Sequence, residues 1–308
     1  MHEITNFIYE NGTTCFITKT GGSFLSRGLA NDKIGKGQLE KATTFASRSN
    51  DDVVFNASTF NVASQTMRGV VIHEGKVLQD EPNYTERTYL VIYRNGEIGY
   101  LEHDTTSKQM LDLGVYESLL GFFPIVIDSK RVTNTYYKPY PFSLNALNPQ
   151  QIIYRIDSEI YFLTTNGRTP GQPGLSVNQL IELLIKKGAD FAYLLDGGGS
   201  TTTVENGSIV NKLSSSERPV ADFLRLKGSD EEVKTQRVTD IEHIKKTGDY
   251  WLPRTSKGLP KNDNFAMHYT ALSDEVGILV AYPFGDNDGT VYKNTRRSGK
   301  FRGWCKNG

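Results

Sequence analysis

The sequence predicts an α+β fold with more strand than helix, and three features of its first 226 residues support this. Two Asn-Gly dipeptides each separate a pair of β-type runs, several short apolar runs have the length of buried strands, and one segment has a clear helical period with both ends marked. Hydrophobic residues make up 37% of the 308-residue chain, so a packed core without staples is expected.

The two Asn-Gly dipeptides predict β-hairpins. Asn-Gly favours the two-residue type I′ turn, because both central positions of that turn need a positive φ. The flanking runs are rich in β-branched and aromatic residues. The predicted hairpins join 87–94 to 97–102 and 201–205 to 208–213.

A helix that leads into a buried strand is predicted in the middle of the chain. Ser176 is a good N-cap residue, Gln179 completes a capping box, leucines follow at helical spacing, and Gly188 ends the helix. The strand that follows belongs to a set of mostly buried strands predicted at 53–55, 123–127, 159–164 and 191–195.

Composition sets the domain organisation and excludes some partners. The polar, charged segment 227–239 predicts a linker between a domain at 1–226 and a module at 240–308. Lys plus Arg and Asp plus Glu both number 35, a balance that argues against duplex nucleic acid as the partner. No apolar run has the roughly 18 residues of a membrane helix, and the first residues lack the signal-peptide pattern. We therefore expect a protein made in the cytoplasm, with no membrane span.

The turn Asp196-Gly197-Gly198-Gly199-Ser200, at the end of the strand 191–195, is the strongest candidate for a site. Glycines let a ligand approach the backbone, and consecutive N–H groups in such a turn can form an anion nest. The hydroxyls of Ser200 and Thr201 add donors. Asp196 follows an apolar strand, so partial desolvation makes it a candidate acid or base. The alternative is a tight turn with a solvated aspartate.

Segment 195–202 resembles the signature of the phosphodiester glycosidase family, whose members are similar to N-acetylglucosamine-1-phosphodiester alpha-N-acetylglucosaminidase. Four other segments resemble motifs of that family and follow in its order. They are an early Asn-Gly-Gly-Phe-Phe motif at 55–60, a Gly-Pro-x-Leu-Val segment at 123–126, an Asp-Gly-Arg with a following Gly-Met/Leu-Thr at 165–168 and 174–176, and a late Arg-Pro-Val at 217–220.

The resemblance implies cleavage of a sugar–phosphate diester through an oxocarbenium-like transition state. It implies that Arg168 and Arg218 clamp the phosphate, and that Asn56 positions a sugar hydroxyl or the attacking water. Asp196 would be the general base or the nucleophile. The substrate-binding candidates are Gly197, Gly198, Gly199, Ser200, Thr201 and Asn166.

Plainer interpretations stay open for these residues: Asn56 as a turn cap, and both arginines in surface ion pairs. No cofactor is implied with certainty, and a divalent cation near Asp196 is left open because the sequence has no metal-ligand spacing to decide it.

The chain departs from the family pattern at three places. Ala57-Ser58 replaces a pair of glycines, Phe123 replaces the glycine before the middle proline, and Asn166 replaces an aspartate. A site that keeps its binding groups and loses a carboxylate is expected to have altered specificity or to be inactive.

Residues 240–308 resemble, more loosely, the knob-like modules that end phage and pyocin tail fibres. Their aromatic residues offer faces for sugars, or they form a core. With the first resemblance, this implies a virion tail or baseplate protein that meets a cell-wall glycopolymer such as teichoic acid, has other tail proteins as partners, and forms a homo-oligomer, with a trimer as our expectation. Three functions follow as hypotheses: a hydrolase, an inactive receptor-binding protein and a structural tail protein.

Overall fold

The chain divides into two compact units, Met1–Asp230 and Glu231–Gly308. The computed structural model describes residues 2–81, 87–132, 144–227, 236–237, 239–244, 248–252, 255–261, 265–271, 276–283, 291–298 and 300–307. Most of the predicted linker 227–239 lies outside the described residues. In the described part of the chain, no helix is both long and apolar enough to cross a membrane.

The first unit is rich in strands, as predicted. Its described helices are α1 (Ala42–Ser49), α2 (Ser107–Asp112) and α3 (Val177–Lys186). Its described strands are β1 (Glu3–Ile8), β2 (Thr14–Lys19), β3 (Phe24–Leu29), β4 (Val53–Asn56), β5 (Phe60–Asn61), β6 (Thr66–Met67), β7 (Val70–His73), β8 (Lys76–Asp80), β9 (Tyr89–Tyr93), β10 (Ile98–Leu101), β11 (Val115–Leu120), β12 (Pro124–Ile127), β13 (Lys130–Arg131), β14 (Gln151–Ile156), β15 (Glu159–Thr165), β16 (Phe191–Leu194), β17 (Thr203–Glu205), β18 (Ser208–Ile209) and β19 (Asp222–Lys227).

Two antiparallel sheets enclose the main core of this unit. One has the order β1-β2-β15-β14-β16-β12-β13 and the other β18-β17-β4-β19-β3, with a smaller sheet β10-β9-β11 beside them. Apolar side chains from all three sheets form one buried cluster, in which the rings of Phe55 and Phe162 stack with centroids 3.7 Å apart. The two larger sheets therefore pack face to face.

A helix covers the outer face of each large sheet. Leu180, Ile181 and Leu184 of α3 pack on the seven-stranded sheet, and Phe45 of α1 packs on the five-stranded sheet, with its ring 4.5 Å from that of Phe223. Both sheets are thus buried on two faces, which explains why their central strands are continuous apolar runs rather than alternating ones.

Both predicted hairpins are confirmed, but only one has the predicted turn. Asn206 and Gly207 both have positive φ (48° and 78°), as type I′ requires. In the β9–β10 hairpin only Gly96 has a positive φ (83°), and the N–H of Tyr93 donates to the oxygen of Glu97. The loop is therefore one residue longer, with the glycine in the left-handed position of a three-residue turn.

The predicted helix is also confirmed. The side chain of Ser176 accepts from the N–H of Gln179, whose side chain bonds back to the cap, and Gly188 follows with a φ of 88°. The chain then enters β16, which is fully buried. The glycine turn follows at the end of this central strand.

The second unit is built on one six-stranded sheet with its own apolar cluster. Its strands are β20 (Gln236–Arg237), β21 (Gly248–Leu252), β22 (Phe265–Ala271), β23 (Gly277–Pro283), β24 (Val291–Arg297) and β25 (Lys300–Asn307). Tyr250, Tyr292 and Trp304 belong to that cluster or pack on it, whereas Tyr282 is exposed. Tyr250, Tyr292 and Trp304 therefore contribute to a core, which is one of the two interpretations of the aromatic residues in this region.

Candidate active site

The candidate site lies at one shared edge of the two large sheets. β4, β15 and β16 end there, and β14 and β17 begin there, because antiparallel neighbours reverse direction. The turn 196–200 follows β16, Asn56 ends β4, and Asn166 follows β15. The fold thus brings three distant segments of the predicted site to one edge.

Asn56 holds the glycine turn in place. Its Nδ2 donates to the main-chain oxygen of Asp196 (2.7 Å), and its Oδ1 accepts from the N–H of Thr202 (2.9 Å). The residue is fully buried, so in this arrangement the amide does not reach a ligand. Asn56 therefore joins the two ends of the turn in this arrangement, and its expected contact with a sugar or with the attacking water stays a prediction.

Most N–H groups of the glycine turn, which was expected to form an anion nest, are bonded inside the protein. The N–H of Gly197 donates to Oδ1 of Asp196 (3.1 Å), and that of Gly198 donates to the oxygen of Pro149 (2.8 Å). The N–H groups of Ser200 and Thr201 donate to carbonyl oxygens within the turn. Four of the five N–H groups of residues 197–201 are therefore committed, and positive charge must come from side chains.

Arg168 and Arg218 supply that charge, and both lie against the glycines. A Cβ on Gly198 would lie 3.3 Å from Nη2 of Arg168, and a Cβ on Gly199 would lie 2.6 Å from Nη2 of Arg218. Gly198 and Gly199 thus leave room for the two guanidinium groups that pack on them.

Both arginine side chains are exposed and held by neutral groups. Nε of Arg168 donates to Oδ1 of Asn148 (3.0 Å), and Nη1 of Arg218 donates to Oγ of Ser200 (3.4 Å). Among the described residues neither arginine forms an ion pair, so these residues do not support the interpretation as surface ion pairs. Their charges are available to an anion, for which a planar guanidinium is well suited.

The carboxyl group of Asp196 lies in an environment that raises its pKa. Burial raises its pKa to about 6, while a hydrogen bond from Ser200, the charges of Arg87 and Arg218 and the N–H of Gly197 oppose the rise. The residue is half-buried, so it keeps access to solvent. A group that titrates near neutral pH can accept and release a proton under ordinary conditions.

Two parts of the site were not found from the sequence. Arg87 lies over the ring of Phe122, 4.7 Å from its centroid, and its charge acts on Asp196. Asn148 and Pro149 form a support: Asn148 holds Arg168, and Pro149 accepts from Gly198. Asn-Pro is common in ordinary turns, and Arg87 lies within a predicted strand. Neither pattern distinguishes a site residue from a structural one.

The remaining binding candidates lie beneath the surface. Asn166 is 4% exposed, and its amide bonds Gln172 and the N–H of Lys212. Ser200 and Thr201 are also buried, and Oγ1 of Thr201 has no hydrogen-bond partner among the described residues. These side chains are covered by other residues in this arrangement, and their expected role as ligands of the phosphate stays a prediction.

The Ala57-Ser58 departure has a structural explanation. The N–H and hydroxyl of Ser58 donate to the carboxylate of Asp222 (2.8 and 2.6 Å), which forms a buried ion pair with Arg27 (2.6 Å). The serine supplies the hydrogen bonds that a buried charged pair requires, and it lies two residues from Asn56.

In the described part of the chain, no group of three or more His, Cys, Asp or Glu side chains is arranged to hold a metal ion. The described residues therefore offer no such set of ligands for the divalent cation that the sequence leaves open.

A half-buried acid with a pKa near neutrality, beside two arginines that form no ion pair with the described residues, is chemically suited to acid–base chemistry on an anionic substrate. The chain belongs to the phosphodiester glycosidase family, because the family model matches residues 49–227, more than half of the chain.

The chain is also similar to a prophage-derived protein. The SPbeta prophage-derived uncharacterized protein YomE of Bacillus subtilis (strain 168) is 27% identical over 207 residues, which are 66% of this chain and 32% of that protein. The chain therefore matches only about a third of the length of this relative.

Solved structures share the fold. The catalytic domain of zebrafish N-acetylglucosamine-1-phosphodiester alpha-N-acetylglucosaminidase, auto-inhibited by its pro-peptide, matches with a TM-score of 0.60 and 16% identity, over 74% of this chain and 82% of that one. A hypothetical protein from Synechocystis matches with a TM-score of 0.53 and 13% identity, over 73% of this chain and 61% of that one.

Proposed function

We propose that the first unit is a hydrolase that cleaves sugar–phosphate diesters. The observation that carries this proposal is the carboxyl group of Asp196, with a pKa of about 6, next to a glycine turn on which Arg168 and Arg218 rest. The family adds the reaction class, since its description names phosphodiester glycosidases.

In the proposed reaction, the arginines bind the phosphate as bidentate donors and stabilise its charge as it leaves. The bond between the anomeric carbon and the phosphate oxygen breaks. Water supplies a hydroxyl group to the sugar and a proton to the solvent or to the phosphate. Asp196, in its ionised form, either takes the proton from that water or attacks the anomeric carbon first.

The Asn166 departure does not remove a carboxylate from this mechanism. Its amide bonds Gln172 and the N–H of Lys212 instead of facing a ligand. The proposed reaction needs one carboxyl group, Asp196, because a phosphate is already a good leaving group. The departure is therefore compatible with an active enzyme.

We further propose that the substrate is a glycosylated phosphate polymer of a bacterial wall, such as teichoic acid, and that the protein acts in a phage tail or baseplate. The similarity to a prophage-derived protein supports a phage origin. On this proposal the second unit, with exposed basic residues at Lys293, Arg297, Lys300 and Arg302, is a knob that meets the anionic polymer. Other tail proteins and two further copies of the chain would be its partners.

A second function is a receptor-binding protein that recognises such polymers without cleaving them. The exposed guanidinium groups of Arg168 and Arg218 favour it, because they bind an anion whether or not Asp196 reacts. Wall binding without product release would distinguish it from the hydrolase.

The test is incubation of the purified protein with teichoic acid and with a synthetic N-acetylglucosamine phosphodiester, followed by mass spectrometry of the released sugar. We expect release by wild type and none by Asp196→Ala. Asp104→Ala removes an exposed aspartate and serves as the control. Equal release by Asp196→Ala would end the proposed role of Asp196, and binding without any release would favour the second function.

A further inference from the structure

Arg218 lies in a short arch, Glu217–Val220, that is anchored at both ends. At one end, the main-chain groups of Val220 and Glu40 exchange two hydrogen bonds of 2.9 Å. At the other end, the carboxylate of Glu217 accepts from the N–H (2.9 Å) and the hydroxyl (2.7 Å) of Thr43. Pro219 stands between them with its φ fixed by its ring. The segment that carries Arg218 is therefore restrained on both sides.

The anchor of Glu217 is the first turn of α1. This helix begins after Lys41, which provides no side-chain cap, and the first N–H groups of a helix need acceptors from elsewhere. Glu217, 174 positions away from Thr43 in the chain, provides one. Its negative charge also interacts favourably with the helix dipole.

The bonds of Glu217 to Thr43 keep its carboxylate from pairing with Arg218. A glutamate next to an anion-binding arginine is its natural ion-pair partner and would compete with a phosphate. Here both carboxylate oxygens of Glu217 are bonded to Thr43, and the guanidinium of Arg218 lies instead against Gly199 and Ser200.

We propose that Glu217 is a positioning residue of the active site, which holds Arg218 on the glycine turn and keeps its charge available to an anionic substrate. The proposal rests on the proposed function only for the identity of the anion, a phosphodiester. Glu217 acts through Arg218 and does not contact the substrate.

A double-mutant cycle tests this dependence. We expect Glu217→Ala to raise KM for the phosphodiester about tenfold, which corresponds to one charge-assisted hydrogen bond. In an Arg218→Ala background, Glu217→Ala should have no further effect on kcat/KM, because coupled residues are not additive. Glu217→Gln keeps an acceptor for the N–H of Thr43 and should restore part of the loss.

Glu159 provides a matched control. Its carboxylate also accepts from a threonine hydroxyl (Thr20, 3.1 Å) and a main-chain N–H (Gly21, 3.0 Å). It begins β15, about 20 Å from the end of that strand at the site. Glu159→Ala should lower the melting temperature as Glu217→Ala does and leave KM unchanged.

A second readout is independent of turnover. The charge of Arg218 lowers the pKa of Asp196, so Glu217→Ala should raise that pKa in the same direction as Arg218→Ala, measured by NMR titration of the carboxyl group. Absence of turnover in wild type would contradict the proposed function and leave this titration to test Glu217. An unchanged titration and an unchanged KM in Glu217→Ala, with only a lower melting temperature, would overturn the positioning role. If Glu217→Ala does not fold, Glu217→Gln and Thr43→Val decide by the same two measurements.

Discussion

At the scale of single residues, Asp196 should set the pH dependence of the reaction. Its pKa is raised to about 6 by burial, and the ionised form is the proposed base or nucleophile. We expect kcat/KM to fall with unit slope below about pH 6. Arg87→Gln should move the midpoint upward, because the charge of Arg87 lowers this pKa. A pH–rate profile of both proteins tests this, and a midpoint near pH 4 in wild type would contradict it.

The raised pKa of Asp196 also predicts a cost in stability. The folded pKa lies above the ordinary value of 3.8, so the folded state holds the proton more tightly than the unfolded state. Stability therefore falls as the pH rises from about 4 to 6, and the cost is complete above pH 6.

Asp196→Asn should remove this cost. We expect the free energy of unfolding to rise by about 1–2 kcal/mol at pH 7.5, after allowance for solvent screening, and to change little at pH 4. Urea denaturation at the two pH values measures the difference, with Asp104→Asn as the control for an exposed aspartate. The same gain at both pH values would mean that burial of the charge is not its cause.

Sequence patterns located the glycine turn better than the hydrogen bonds that surround it. Asp196 could be predicted because it ends an apolar strand and precedes three glycines. The roles of Asn56 and Asn166 could not, because an asparagine that binds a ligand and one that bonds the backbone have the same sequence pattern. Only the folded structure distinguishes the two cases. Asn56 and Asn166 are 0% and 4% exposed, and this burial depends on the packing of distant segments.

At the scale of elements, Gly198 and Gly199 of the turn have different surroundings, and substitution should separate their effects. Gly199→Ala places a Cβ 2.6 Å from Nη2 of Arg218, and the flexible side chain of Arg218 can move away. We expect a higher KM with a loss of less than about 1 kcal/mol in stability. Gly198 has a φ of +61°, so Gly198→Ala adds backbone strain of roughly 1–2 kcal/mol and displaces Arg168.

Gly207→Ala is the matched control for this comparison. Gly207 has a φ of +78° and no atom within 4 Å of the added Cβ. It should lose stability and keep the KM of wild type. Steady-state kinetics and thermal denaturation of the three variants provide the comparison, and an unchanged KM in Gly199→Ala would show that Arg218 does not depend on this contact.

Elements with local chemical signals were predictable, and those without them were not. α3 was found because its capping box and its closing glycine are encoded within a few residues. The β9–β10 turn was assigned one residue too short, because Asn-Gly fits both the type I′ turn and the last two positions of a three-residue loop. α1 carries no such signal, since its capping carboxylate comes from Glu217.

At the scale of the whole molecule, strand order could not be predicted. β2 pairs with β15 and β4 pairs with both β17 and β19, and no local pattern specifies partners so far apart in the chain. The family resemblance predicts that segments 55–60, 165–168, 195–202 and 217–220 meet in one site, although it does not specify the strand order. The pairing explains why they meet, since each segment is at or near the end of a strand at the same sheet edge.

The two units should be separable in function. Met1–Asp230 contains the site and its own buried clusters, and Glu231–Gly308 has a separate cluster around Tyr250 and Phe265. We expect a protein of residues 1–230 to fold and to cleave a small phosphodiester with the kcat/KM of the full chain, because every group of the proposed mechanism lies within it.

The same truncation should weaken binding to an anionic wall polymer, because it removes the exposed basic residues of the second unit. Co-sedimentation with purified cell walls at low and high salt measures this, since binding by exposed charges weakens as salt rises. Full wall binding by residues 1–230 would assign polymer recognition to the first unit. The truncated protein could also unfold cooperatively and yet fail to cleave the small diester. That result would show that the site depends on the second unit, and that the domain at 1–226 is not the complete enzyme.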